Sequence, residues 1–105
     1  MDTTRFTEVE MRKEENLRVE EVEFVPIKPR EGLIGFASCL VDRRFYFAGI
    51  GVHTVLNGEG LRITYPTRKV GDTNIPLYHP VNAEVGDTIR KAITRKVKEL
   101  LGDAI

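Results

Sequence analysis

The residues with the clearest chemical capacity are cations. Arg90, Lys91, Arg95, Lys96 and Lys98 fall on one helix-period segment with no acidic residue between Thr88 and Lys98, and a second basic pair, Arg68 and Lys69, precedes it. Side chains of this type grip phosphate oxygens, Arg through a planar fork of N–H donors and Lys as a compact point charge. Total charge hides the pattern, because 16 Lys and Arg cancel 16 Asp and Glu. Residues 1–31 hold nine acids and six bases, a balance of minus three, whereas residues 62–98 hold eight bases and three acids, a balance of plus five. The local field within a Debye length of about 8 Å governs capture of a polyanion, so a neutral chain with a basic end is still competent for it. The competing reading is a solvated outer helix face whose cations suit the negative end of the helix dipole.

Other chemistry finds little support. His53 and His79 have no Asp, Ser or Cys at a spacing that suggests a triad, and both read as structural, His79 fixing the loop before a helix. One Cys and two scattered His do not make a zinc ligand set, so no metal or cofactor is expected. Cys39 lies in an apolar run and reads as a small hydrophobe. Neither Gly49-Ile50-Gly51 nor Gly58-Glu59-Gly60 has the Lys-Ser/Thr and following helix of a phosphate loop. Tyr46, Tyr65 and Tyr78 offer rings for unpaired bases, although aromatics on strands are more often core. Nothing supplies an obvious reader of base edges, so binding with low sequence specificity is expected.

The elements that must position these residues follow from periodicity. Residues 1–16 show no hydrophobic period and read as a polar extension, leaving residues 17–105 as a single domain. The first strand alternates Val22 and Phe24 with Glu21, Glu23 and Val25, which suits an edge or half-exposed strand, and Pro26 and Pro29 are expected to stop its ladder. Residues 32–41 are almost continuously apolar, as in a central strand covered on both faces or one covered by a dimer partner. Asp42, Arg43 and Arg44 turn the chain into a third strand over residues 45–56. Strict alternation puts Phe45, Phe47, Gly49, Gly51, His53 and Val55 on one face and Tyr46, Ala48, Ile50, Val52, Thr54 and Leu56 on the other. Two glycines on one face imply a bulge or the close approach of another backbone. Asn57-Gly58-Glu59-Gly60 signals a hairpin turn into a fourth strand over residues 61–65, and residues 66–82 read as one long loop. Val85, Ile89, Ala92, Ile93, Val97, Leu100 and Leu101 give an amphipathic helix over residues 83–101, with Asn82 as N-cap and Gly102 as stop.

The expectation is an α+β domain, an antiparallel meander of about four strands followed by one C-terminal amphipathic helix. One helix covers one sheet face, so the other wants a partner, and a homodimer is the simplest supply. No apolar run reaches the roughly 20 residues of a bilayer span, and a polar N-terminus without the apolar centre of a secretory signal suggests a cytoplasmic protein.

Several segments, taken in order, resemble the stage V sporulation protein G family of septation and sporulation regulators. They are Val19-Glu20-Glu21-Val22-Glu23-Phe24, Val41-Asp42-Arg43-Arg44-Phe45, Asn57-Gly58, Tyr65-Pro66-Thr67-Arg68-Lys69 and Tyr78-His79-Pro80-Val81-Asn82. The resemblance spans residues 17–101. It implies a small α+β homodimer, often with exchanged sheet or hairpin elements, that binds DNA and RNA without being an enzyme. It assigns nucleic-acid contact to Arg68 and Lys69 and, less directly, to the basic helix residues Arg90, Lys91, Arg95 and Lys98. The extension of about sixteen residues, Lys28-Pro29, and the order Thr67-Arg68-Lys69 depart from the family's usual wording. A protein-interaction module in cell division, with the basic face merely solubilising, is the alternative.

Overall fold

A computed structural model describes residues 17–55 and 60–102; the polar extension and the Asn57-Gly58-Glu59 turn lie outside the described residues. Strands β1 (Val19–Arg30), β2 (Leu33–Val41), β3 (Phe45–Thr54) and β4 (Leu61–Thr64) form one antiparallel sheet in the order β1-β2-β3-β4. Strands β5 (Thr67–Val70) and β6 (Thr73–Pro76) make a separate two-stranded sheet, and helix α1 (Ala83–Leu101) ends the described chain. The α+β architecture with a C-terminal helix is therefore as expected.

The loop expected over residues 66–82 is the main correction. Half of it is a β-hairpin, closed at its tip by Gly71 with φ of +63° and at its base by the Leu77 N–H donating to Pro66 C=O at 2.9 Å. Its Pro, Gly, Asp and Asn residues mark the turns flanking two four-residue strands too short to show a period.

A second correction concerns β1, which continues beyond Pro26 to Arg30. Regular pairing does lapse after Pro26↔Gly35, and it resumes only at Arg30↔Leu33. Prolines survive here because β1 is an edge strand, where a missing N–H costs a ladder bond on one side at most.

The third correction is the face assignment in β3. Between Ala37↔Ile50 and Cys39↔Phe47 the ladder advances two residues on β2 and three on β3, so an extra residue enters at Ala48-Gly49. Gly49 takes φ of +75°, the left-handed conformation that glycine adopts without a Cβ penalty. The bulge reverses the alternation, placing Phe47, Ile50 and Val52 together against the core.

That core is a single layer between sheet and helix. Phe24, Ala37, Cys39, Val41, Ile50, Val52 and Leu61 meet Ile89, Ile93 and Val97, which recur every four residues along α1. Fully burying a side chain of Ile or Val size stabilises the fold by roughly 1.5–3 kcal/mol. Close packing explains Gly35, where a Cβ would stand 2.5 Å from Val25 C=O and 2.6 Å from the Phe24 ring. The opposite sheet face has no helix. There Val25 pairs with Phe36 and Leu40 with Tyr46, and Val25, Phe36 and Tyr46 are exposed.

Candidate nucleic-acid interface

Helix α1 starts where Asn82 Oδ1 accepts the Val85 N–H at 2.8 Å and stops at Gly102, whose N–H donates to Lys98 C=O. With Ile89, Ile93 and Val97 fixed inward, a turn of 100° per residue sets every other azimuth. Lys91, Arg95 and Lys98 then lie within about 60° of one another, on the side opposite Ile93, spread over about 10 Å of axis. All three are exposed, and none forms an ion pair among the described residues. They make a stripe of cations without ion pairs among the described residues, and the exposed carboxylates of Asp87 and Glu84 lie at the same azimuth one and two turns toward the N-terminus.

Arg90 and Lys96 occupy the two flanks, half-buried. Arg90 reaches Asp87 at 3.4 Å and Lys96 reaches Glu99 at 3.8 Å, exposed i,i+3 pairs worth about 0.2–0.5 kcal/mol each. Of the helix cations expected to contact phosphate, Lys91, Arg95 and Lys98 share one face and Arg90 stands beside it. Acidic Glu84 opens the helix and basic Lys98 closes it, both favourable to the dipole.

Arg68 and Lys69 are on β5, not on a loop. Neighbours on a strand point to opposite faces, so the pair is split. Arg68 shares a face with Val70, Thr73 and Ile75, while Lys69 shares the other with Thr67, Asn74 and Pro76. All eight strand residues are exposed. The helix packs chiefly on β1 and secondarily on β4, and the hairpin is not among its substantial neighbours. Within one chain the hairpin cations and the helix stripe are therefore two separate basic features.

A shallow open cleft of about 310 Å³ lies between the start of α1 and β4, bordered by Arg62, Tyr65, Pro80, Asn82, Gly86 and Arg90. Arg62, not among the cations expected to bind, borders the same cleft as Arg90 and its ion-pair partner Asp87. The Tyr65 hydroxyl is buried without a hydrogen-bond partner.

The aromatic residues form a ladder. Phe45 stacks on Phe47 with centroids 6.2 Å apart at 21°, Phe47 on Tyr78 at 4.4 Å and 19°, and Tyr65 meets Tyr78 edge-on at 5.7 Å. Tyr78 Oη donates to Ala48 C=O at 2.6 Å, capping the carbonyl at the β3 bulge. Burial pushes the Tyr78 phenol up to about 12. Tyr65 and Tyr78 serve the interior side of this ladder, and Tyr46 stands exposed on the opposite sheet face.

The remaining polar groups have local work. The turn from β2 to β3 places Asp42 and Arg43 at φ of +53° and +56°, closed by the Arg44 N–H on Val41 C=O at 3.0 Å. Arg43 Nε donates to Glu20 Oε1 at 3.1 Å, and that hydrogen bond holds the Glu20 carboxyl below its usual range. His53 Nε2 and Thr64 Oγ1 lie 3.1 Å apart, and burial, with Arg62 nearby, lowers the His53 pKa. His79 Nδ1–H donates to Pro80 C=O at 2.8 Å, the loop-fixing role expected of it. Cys39 is fully buried, which raises its thiol pKa.

No protein-family model matches the chain, and no curated protein sequence does either. Among the described residues, no helix is long and apolar enough to cross a membrane.

Proposed function

We propose that this chain is a non-enzymatic, cytoplasmic nucleic-acid-binding regulator of the septation and sporulation type, holding phosphates of DNA or RNA on α1 with low sequence specificity. The observation that carries this reading is the stripe of Lys91, Arg95 and Lys98, three exposed cations on one helix face with no ion pair among the described residues. Its axial reach of about 10 Å corresponds to about three nucleotides of rise along a duplex axis, at about 3.4 Å each. Arg90 joins from one flank, and the resemblance to the stage V sporulation protein G family supports a further contribution from Arg68 and Lys69.

The functional unit is a homodimer in this reading. A two-stranded hairpin has marginal stability without packing support, yet β5 and β6 expose Val70 and Ile75 on one ribbon face. The helix-free sheet face bearing Val25, Phe36 and Tyr46 is a second unpartnered apolar surface. A second copy supplies a match for both through twofold symmetry.

Binding of labelled duplex and single-stranded oligonucleotides across a salt series, with light scattering of the same samples, tests both parts. Retention at low salt with steep salt dependence and dimer mass is the expected result. Absence of retention at low salt, together with capture of a division protein, would favour the second reading, an interaction module using the exposed apolar sheet face.

A further inference from the structure

The ladder Phe45-Phe47-Tyr78 is unusual in where it ends. Its inner rings are held by packing and by the Tyr78 bond to Ala48 C=O, whereas its outermost ring, Phe45, is 58% exposed. Successive rings are inclined by only 21° and 19°. Phe45 is thus the last step of a near-parallel stack, fixed on a strand and unfinished on its outer side.

Scattered exposed side chains are ordinary, but a flat ring set on a strand and aligned with its neighbour suits a flat partner because an aromatic side chain has few rotamers to lose on contact. Immediately before it, Arg44 is exposed and makes no ion pair among the described residues, while Arg43 is engaged by Glu20. An aromatic face preceded along the chain by a cation without an ion pair among the described residues fits a nucleotide, whose base stacks and whose phosphate is anionic. In a duplex both faces of an internal base are already covered by its neighbours, so only an unpaired base can extend the ladder.

We propose that Phe45 is a stacking platform for an unpaired base of a single nucleic-acid strand, with Arg44 taking the adjoining phosphate. The inference rests on the nucleic-acid reading above and sharpens it. It gives the protein a preference for single-stranded segments that the phosphate stripe on α1 would not confer.

The test uses the full chain, a labelled thymidylate single strand, a duplex of equal length, and thymidine monophosphate. Phe45→Ala should weaken single-strand binding about 5- to 150-fold, the range for loss of one stacked base, and leave duplex binding unchanged. Phe45→Trp should keep single-strand affinity. Because the chain contains no Trp, its emission reports position 45 alone. Quenching by the single strand, with little by the duplex or by equimolar mononucleotide, is expected.

Equal losses on both nucleic acids, or unchanged single-strand affinity in Phe45→Ala, would overturn the platform while leaving the phosphate stripe standing. A fall in light-scattering mass on Phe45→Ala would overturn it too, by showing that a second copy covers the ring. Failure of the unaltered chain to bind either nucleic acid at low salt would remove the nucleic-acid reading itself, and the platform with it.

Discussion

Neutralising Lys91, Arg95 and Lys98 together, by Lys91→Gln, Arg95→Gln and Lys98→Gln, isolates the stripe. The three side chains are exposed and touch no partner carboxylate among the described residues, so the substitutions remove charge with little change in packing. Each phosphate contact contributes about 0.9 to the slope of log affinity against log salt on duplex DNA, hence about 2.7 for three contacts per chain. At 0.1 M salt, relative to 1 M, that slope corresponds to about 2.7 decades of affinity for each stripe engaged, roughly a 500-fold loss for one stripe and about 5.4 decades where both stripes of a dimer hold the same duplex. Single strands, with a coefficient near 0.7, should lose about 2.1 decades. Stability should barely move, since only Lys98 occupies the last helical turn, where a cation contributes about 0.3–1 kcal/mol. Fluorescence anisotropy between 50 and about 300 mM salt gives the slope, spanning the range over which such contacts are known to respond, and circular dichroism checks the helix. Lys96→Gln is the control, because its charge already faces Glu99 at 3.8 Å on a flank of the helix. A triple variant that keeps the slope of the unaltered protein would refute phosphate binding by α1.

Three further outcomes follow from packing and capping. Gly35→Ala drives a Cβ to 2.5 Å from a backbone oxygen, so melting should fall by roughly 10–20 °C, whereas Gly86→Ala, only 3.4 Å from Pro80 Cγ, should raise it by a few degrees, since Ala is favoured over Gly in a helix by about 1 kcal/mol. Asn82→Ala removes the bond to the Val85 N–H and should cost about 1 kcal/mol, read as about 4–8 °C by thermal unfolding. Tyr78 ionises at an ordinary value near 10 when unfolded and at about 12 when folded, so the unfolded chain gives up this proton first. The stability tied to the neutral phenol is therefore complete below pH 10 and is lost as pH rises through 12. Tyr78→Phe should flatten that part of the alkaline unfolding curve, and an unchanged curve would place the ionisation elsewhere.

Much of the fold was legible because it rests on long periodic segments. Ile89, Ile93 and Val97, with Asn82 before them and Gly102 after them, specify α1 at its start, face and stop. The four-strand meander was equally readable from its apolar runs and turn residues. What escaped was decided by single residues or short strands. Gly49 reads as a bulge candidate, but its sequence context does not fix whether an extra residue is inserted there, and one left-handed residue brings Phe47 and Ile50, on opposite faces under strict alternation, to the same side. The charge pattern of β1 does suggest an edge or half-exposed strand, yet Pro26 and Pro29 read as terminators because which of their N–H positions face the neighbouring strand is fixed by pairing, not by the strand's own sequence. The site divides the same way. The cations of α1 were legible, but the split of Arg68 from Lys69 depended on recognising β5, and Phe45 gained significance only once Tyr78, 33 positions away, completed its ladder.

Pairing of two chains bears directly on whether the stripe is strong enough. Taking the binding constant at 1 M salt as near unity, three contacts at 0.15 M contribute about 2.2 decades, a Kd of about 6 mM. That is weaker than the roughly 10⁻⁴–10⁻⁶ M typical of non-specific DNA binding at physiological salt. Two stripes engaging one polyanion double the exponent to about 4.4 decades, a Kd of about 40 µM, within that range. The exposed apolar surfaces at Val70 and Ile75 and at Val25, Phe36 and Tyr46 are therefore more than a question of solubility. If they hold two copies together, they also determine whether three cations per chain suffice to retain a nucleic acid. Dilution below the dimer dissociation constant should then weaken binding more steeply than a single-site isotherm allows.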